Sequence, residues 1–270
     1  MQKFIIHGAR SGRPVWGARY RRYGGSTSCF SLETDEGLLI FDAGTGIASI
    51  GHELAQRAAV PPITILFTHF HLDHVMGMPA FQPFYKKGGN VTLMGRGDQA
   101  AQWPRTLKTV FGKPLWPIEL LDAGATIRLD DLPRQGSLTL HGIKISWCPV
   151  WHPQTCLSYR IETPDRVLVL ATDCEHGRAD LDQAFLEFCR GADVLIHDAQ
   201  YTPEEYPRHY GWGHSTWEQA AQRAARAGVG TLILTAHDPS RSDEEIDRIV
   251  EQARQIFPET VAATEEMALS

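Results

Sequence analysis

Short apolar runs, each closed by turn residues, alternate along the 270-residue chain with polar or amphipathic stretches. Runs rich in Val, Ile, Leu and Phe predict strands over residues 4–7, 28–33, 38–41, 63–68, 91–94, 125–129, 138–150, 157–162, 167–171, 194–197 and 231–235. Apolar positions three and four apart predict helices over 47–59, 98–110, 181–190, 216–227 and 243–256. Two of these helices open on capping signals: Ser215 with Glu218 three residues on, and Ser242 ahead of Asp243, Glu244 and Glu245. Gly228 supplies a stop. Residues 104–133 read as an irregular excursion. Strand meanders interrupted by helices, without repeat or linker, predict two sheets with helices packed outside them in one domain over 1–270.

Composition narrows the function classes. A hydrophobic content of 43% over this length can bury a large core. A formal charge of -6 gives no global attraction to nucleic acid. Lys3, Arg10, Arg13, Arg19, Arg21 and Arg22 all precede the first acidic residue, Glu33, and form either a solvated basic edge or an anion-attracting rim. Five cysteines without regular spacing do not make a disulfide framework, which predicts a reducing, cytoplasmic setting with Cys148, Cys156 and Cys174 as buried, inert thiols. No run approaches the roughly 18 apolar residues of a membrane span, and the start is too short for a signal sequence.

The chemistry is concentrated in His69-Phe70-His71-Leu72-Asp73-His74, directly after the apolar run 63–68. If that run is a strand, His69 and His71 share a face and can share one cation. Asp73 and His74 fall in the turn beyond it, where they can reach a second, since imidazole and carboxylate both suit zinc or another borderline divalent metal. His152, Asp173 and His237 each close a later strand candidate, at positions able to complete a two-metal site.

In order, His69, His71, Asp73, His74, His152, Asp173 and His237 match the pattern of the metallo-beta-lactamase superfamily, which the chain resembles over nearly its whole length. The resemblance extends to Phe41-Asp42-Ala43-Gly44-Thr45-Gly46, similar to the family turn in which the Asp supports the metal-binding loop. It implies a four-layer alpha-beta-beta-alpha sandwich. It also implies one metal on His69, His71 and His152, another on Asp73, His74 and His237, and Asp173 bridging them. His71 stands where flavodiiron relatives carry Glu, which favours hydrolysis over redox chemistry.

Gly211-Trp212-Gly213-His214-Ser215-Thr216 resembles the ribonuclease Z and small phosphodiesterase branch, as do residues 23–29 and 195–201. A glycine turn lets backbone N–H groups approach a phosphate, and His214 at a helix start can protonate a leaving alkoxide. His197 and Asp198 are then either supports for the site or ordinary strand-end polar residues. Ser26, Ser215, Tyr201 and Trp212 are the expected substrate contacts, with the aromatics around His214 able to stack a base or form a packed cover.

In ribonuclease Z a long arm that grips transfer RNA separates the third His from the bridging Asp, whereas only a short hairpin fits between His152 and Asp173. The resemblance therefore points to a small phosphodiester, a cyclic nucleotide or cyclic phosphate, with long nucleic acid not a partner and a homodimer implied. The implied cofactors are two divalent ions, zinc first, with manganese or iron as alternatives. Asp73 is expected to orient the nucleophile as well as bind metal. A ribonuclease Z-like endonuclease, a thioester hydrolase similar to glyoxalase II and a silent binding module are the other readings.

Overall fold

The computed structural model describes residues 3–96 and 103–269. Strands β1 (Lys3–Gly8), β2 (Cys29–Thr34), β3 (Gly37–Phe41), β4 (Ile63–Leu66), β5 (Asn90–Gly95) and β6 (Thr126–Asp131) form a seven-stranded sheet with the C-terminal β14 (Ala268–Leu269), in the order β14-β1-β2-β3-β4-β5-β6. A second seven-stranded sheet holds β7 (Gly136–Leu140), β8 (Ile143–Val150), β9 (Cys156–Glu162), β10 (Val167–Ala171), β11 (Val194–Asp198), β12 (Thr231–Thr235) and β13 (Thr260–Ala262), in the order β13-β12-β11-β10-β9-β8-β7. Each sheet is antiparallel on one side and parallel on the other, from β3 to β6 and from β10 to β13. Helices α1 (Ile47–Ala55) and α2 (Trp103–Val110) lie within the parallel part of the first sheet's sequence. Helices α3 (Ala179–Cys189), α4 (Trp217–Ala227) and α5 (Asp243–Arg254) cross between the parallel strands of the second.

Strand alternation sorts the apolar side chains into layers. Leu168 and Leu170 of β10 pack between the sheets with Phe30, Phe41 and Tyr159, whereas Val169 and Ala171 face outward onto Phe185 of α3 and Ala220 and Ala224 of α4. A third cluster joins α1 and α2 to the outer face of the first sheet through Ile47, Ile50, Trp103 and Leu107. Three apolar layers between four layers of secondary structure make the expected alpha-beta-beta-alpha sandwich. Tyr159 also ties the sheets by a hydrogen bond, its hydroxyl donating to Phe67 O at 2.6 Å in the core. Among the described residues no helix is long and apolar enough to cross a membrane.

Several local expectations are corrected. Residues 138–150 form a hairpin rather than one strand, because His141 (φ 47°) and Gly142 (φ 76°) are both left-handed, the backbone of a two-residue turn matched to strand twist. Thr216, not Ser215, caps α4 in a reciprocal box with Gln219, while Ser215 Oγ turns inward to Cys174 O. Ser242 and Glu245 form the box expected for α5, and Gly228 (φ 64°) ends α4. The predicted helix over 98–110 is observed from Trp103; residues 98–102 lie outside the described residues.

The basic N-terminal segment is largely spent on docking. Arg10 is buried and donates to the carbonyls of Gly24, Asp238 and Arg241. Arg22 pairs with Asp247 at 2.6 Å and approaches Asp243 and Glu244 in α5, and Arg19 meets Glu245. Arg19 and Arg22 are thus spent on acidic residues of α5.

Candidate functional site

The carboxyl ends of the parallel strands converge, the place where open α/β sheets collect ligands. Asp42 follows β3, His69 to His74 follow β4, Asp173 follows β10, and Asp198 ends β11. From the antiparallel part, His152 follows β8.

One donor group is His69, His71, His152 and Asp173, and a second is Asp73, His74 and Asp173; within each group the ligand atoms lie inside 4.8 Å of one another. The two groups share Asp173. Its Oδ2 stands 3.5 Å from His69 Nε2 and 3.4 Å from His74 Nε2, and Asp73 Oδ2 is 3.5 Å from His74 Nε2. A tetrahedral cation with bonds of about 2.0–2.1 Å spaces its donors roughly 3.3 Å apart, so these separations fit a metal. Moreover, His69 Nε2, His74 Nε2 and Asp173 Oδ1 are buried without any hydrogen-bond partner. Orphaned polar atoms cost about 1–3 kcal/mol each, and a divalent cation satisfies them together.

The far sides of the rings are held as metal-bound imidazoles require. Asp42 Oδ2 sits 2.8 Å from His74 Nδ1, and its carboxylate also accepts from Thr68 N and Oγ1. Asp42 does this from a left-handed backbone (φ 60°), a conformation Asp tolerates better than most residues. Thr68 Oγ1 lies 3.1 Å from His69 Nδ1, and His152 Nδ1 donates to Gly213 O at 2.9 Å. Against the penalty of burial, Asp173, Asp73 and Asp42 raise His74 well above the ordinary imidazole range. Negative charge is therefore in excess around its Nε2. Burial works against the Asp73 carboxylate, but His74 outweighs it and holds Asp73 at about 2. Asp73 Oδ2 also accepts from Gly12 N at 2.7 Å.

His237 departs from expectation, being in neither donor group. Ala236 is left-handed (φ 55°), and the His237 backbone pairs with Ala9 and Ser11. The His237 ring instead meets Tyr23 at 5.7 Å, and its Nε2 donates to Ala263 O at 3.0 Å. Burial, aided by Arg10, lowers it to about 3. The second group thus has three protein donors.

His214 stands beside the shared ligand. Its Nδ1 is 2.7 Å from Asp198 Oδ2 and its Nε2 is 3.9 Å from Asp173 Oδ2. Burial alone would lower His214, but Asp198 and then Asp173 raise it to about 9. Asp198 is itself fixed by Cys174 N, Gln200 N and Ser215 N. His197 does not support this site; its ring turns to His176 and Cys174.

The expected substrate contacts separate. Ser215 is fully buried, and Tyr201 is buried against His209 at 4.3 Å, so neither side chain is presented to a ligand. Ser26 uses its backbone to hold Glu265 and the Ala9–Arg10 segment. Trp212 is 61% exposed. Sequence reasoning missed Glu175, which accepts from Tyr206 Oη, Gly211 N and Gly213 N and so pins the glycine turn before His214. It also missed a cleft of about 360 Å³ beside His152, lined by Arg96, Arg134, Arg178 and Trp151. These arginines are scattered through the sequence, and only the fold gathers them.

Comparison with known proteins agrees with this fold. Residues 38–237 match the model of the beta-lactamase superfamily domain. Ribonuclease BN of Escherichia coli strain K12 is 28% identical, the match covering 86% of this chain and 88% of the relative. Among solved structures, the metallo-beta-lactamase fold protein YhfI from Bacillus subtilis superposes with a TM-score of 0.76 at 19% identity, covering 100% of both chains. A diphosphatase of the PhnP family gives 0.71 at 18% identity, covering 100% of this chain and 98% of its own. The chain belongs to the beta-lactamase superfamily and is a metal-dependent hydrolase of that fold.

Proposed function

We propose that the protein hydrolyses small phosphodiesters, with a cyclic nucleotide or cyclic phosphate as the substrate class and two divalent cations, zinc first and manganese or iron next, around Asp173. The observation that carries this reading is the placement of His214, clamped by Asp198 through Nδ1 and facing Asp173 with its free Nε2. His69, His71, His152 and Asp173 would hold one cation, and Asp73, His74 and Asp173 the other. When bound, such cations bring the pKa of water toward neutrality and offset charge on phosphoryl oxygens.

The chain's own residues do the rest. Asp42, Thr68 and Gly213 O fix the ligand rings so that little reorganisation is needed at the moment of reaction. His214 holds a proton at Nε2 and delivers it to the departing alkoxide, while Asp198 stabilises the ring's orientation. Arg96, Arg134 and Arg178 make the neighbouring cleft, which Trp151 also lines, anion-seeking. The segment joining β9 to β10 is a tight turn closed by Thr163 and Arg166, and the net charge is -6, both of which favour a small substrate over a folded RNA. Five free, buried cysteines fit a reducing cytoplasm.

The test is hydrolysis of a chromogenic phosphodiester by protein loaded in turn with zinc and manganese, beside Asp173→Ala as blank. Turnover that disappears in the variant together with bound metal is the expected result. No turnover with metal bound contradicts the reading and turns attention to thioesters. Activity confined to RNA substrates would instead favour the ribonuclease reading that the 28% identical relative brings.

A further inference from the structure

Cys174, His176 and His197 have no part in the phosphodiester reading, yet they come together just beyond Asp173, all three buried. Parallel pairing of Ala171 with His197 brings the segment that follows β10 beside the end of β11. His197 Nε2 lies 3.6 Å from Cys174 Sγ and 3.2 Å from His176 Nε2.

The outer nitrogens decide what those distances mean. His176 Nδ1 is 3.0 Å from Asp182 Oδ1, and His197 Nδ1 is 2.7 Å from Asp198 O. A carboxylate and a carbonyl only accept, so each Nδ1 carries its ring's proton. In neutral rings both Nε2 atoms are then lone pairs facing one another at hydrogen-bond distance, with a sulfur beside them. Arg223 Nη2 also approaches His176 Nδ1, at 3.1 Å. With the Nδ1 proton directed at Asp182, the guanidinium is held by Asp182 as well, donating from Nη1 to its carbonyl at 2.8 Å and standing 3.7 Å from its carboxylate. A third partner between the facing donors removes the conflict.

We propose that Cys174, His176 and His197 form a further metal site, for a divalent cation of the zinc class, distinct from the centre around Asp173. With bonds of about 2.3 Å to sulfur and about 2.0–2.1 Å to nitrogen, tetrahedral ligation spaces donors roughly 3.3 Å (N to N) and 3.6 Å (S to N) apart, close to the two separations observed. Asp182 and Asp198 O orient the rings as Asp42 and Gly213 O orient His74 and His152. Binding expels the Cys174 thiol proton to solvent, leaving thiolate as ligand. Such a site would lock the end of β10 to β11 where Cys174 N already donates to Asp198, the residue that clamps His214.

Cobalt(II) loaded into the full chain tests the site. The centre around Asp173 offers only nitrogen and oxygen, so a thiolate-to-cobalt charge-transfer band in the near ultraviolet reports a cysteine ligand, whatever the protein hydrolyses. Cys156, with Sγ 3.8 Å from His69 Nδ1, is the other thiol near a candidate ligand, so both cysteines are varied. The expected result is a band in the wild-type protein that is lost in Cys174→Ser, with about one cobalt fewer per chain, and kept in Cys156→Ser. Bound cobalt without the band, or a band that survives Cys174→Ser, overturns the proposal.

Discussion

Two of the donor groups that share Asp173, the one built on His69 and the one built on His74, differ in completeness. Four protein donors, His69, His71, His152 and Asp173, face the first position; among the described residues only Asp73, His74 and Asp173 face the second, because His237 is turned to Ala263. A four-donor set can close a tetrahedral shell with protein alone, whereas a three-donor set keeps a position open for water or substrate, the hallmark of catalytic metal sites. On the proposed reading the first group would anchor metal, and the second, next to Asp73 and within the excess negative charge around His74, would be where exchangeable ligands enter.

Breaking the comparison at its strongest point means His74→Ala. About one cation per chain should be lost and phosphodiester turnover should fall to the blank rate, with the metal held by His69, His71 and His152 retained; metal analysis beside a rate assay checks both. Next in size is Asp42→Ala, which frees His74 Nδ1 and Thr68 and should weaken metal affinity about 10–100-fold, read by chelator competition. His237→Ala should leave metal content unchanged and cost about 1–3 kcal/mol of folding stability through the unpartnered Ala263 O, read by denaturant unfolding. Loss of a cation in that variant would erase the asymmetry between the groups.

A pH profile sharpens the same contrast on the side of His214. The protonated ring is the donor, so the high-pH limb of kcat should fall through the His214 pKa, about 9 when both carboxylates face it without a cation, while metal-bound water would set the low-pH limb. Cations on Asp173 weaken that carboxylate's pull and move the falling limb to lower pH. Asp198→Asn removes the other pull and should move it further the same way. A falling limb that ignores Asp198→Asn contradicts the assignment.

The four layers were legible in the sequence because strand alternation and helix periodicity are local signals. The His69–His74 cluster was legible for the same reason. What the sequence concealed depends on backbone turns and cross-chain register. His141 and Gly142 split a continuous apolar stretch only because both are left-handed. Ser215 and Thr216 are equally good caps by composition, and the choice between them is made by Cys174 O, far away in sequence. His237 ends the right strand, but left-handed Ala236 and pairing with Ala9 and Ser11 direct its ring elsewhere. The grouping of Cys174, His176 and His197 follows from parallel pairing of β10 with β11, which no spacing rule displays.

The most direct test of the central claim, that His214 delivers the proton to the departing oxygen, is a comparison of leaving groups. Wild type and His214→Ala are assayed on a nitrophenyl phosphodiester, whose phenolate leaves without a proton, and on an alkyl phosphodiester, whose alkoxide needs one. The account predicts a loss on the order of 10²–10⁴ for the alkyl substrate and a far smaller one for the nitrophenyl substrate, with metal content unchanged. Equal losses on both substrates, or loss of metal, would contradict it and leave His214 as a ligand or a support.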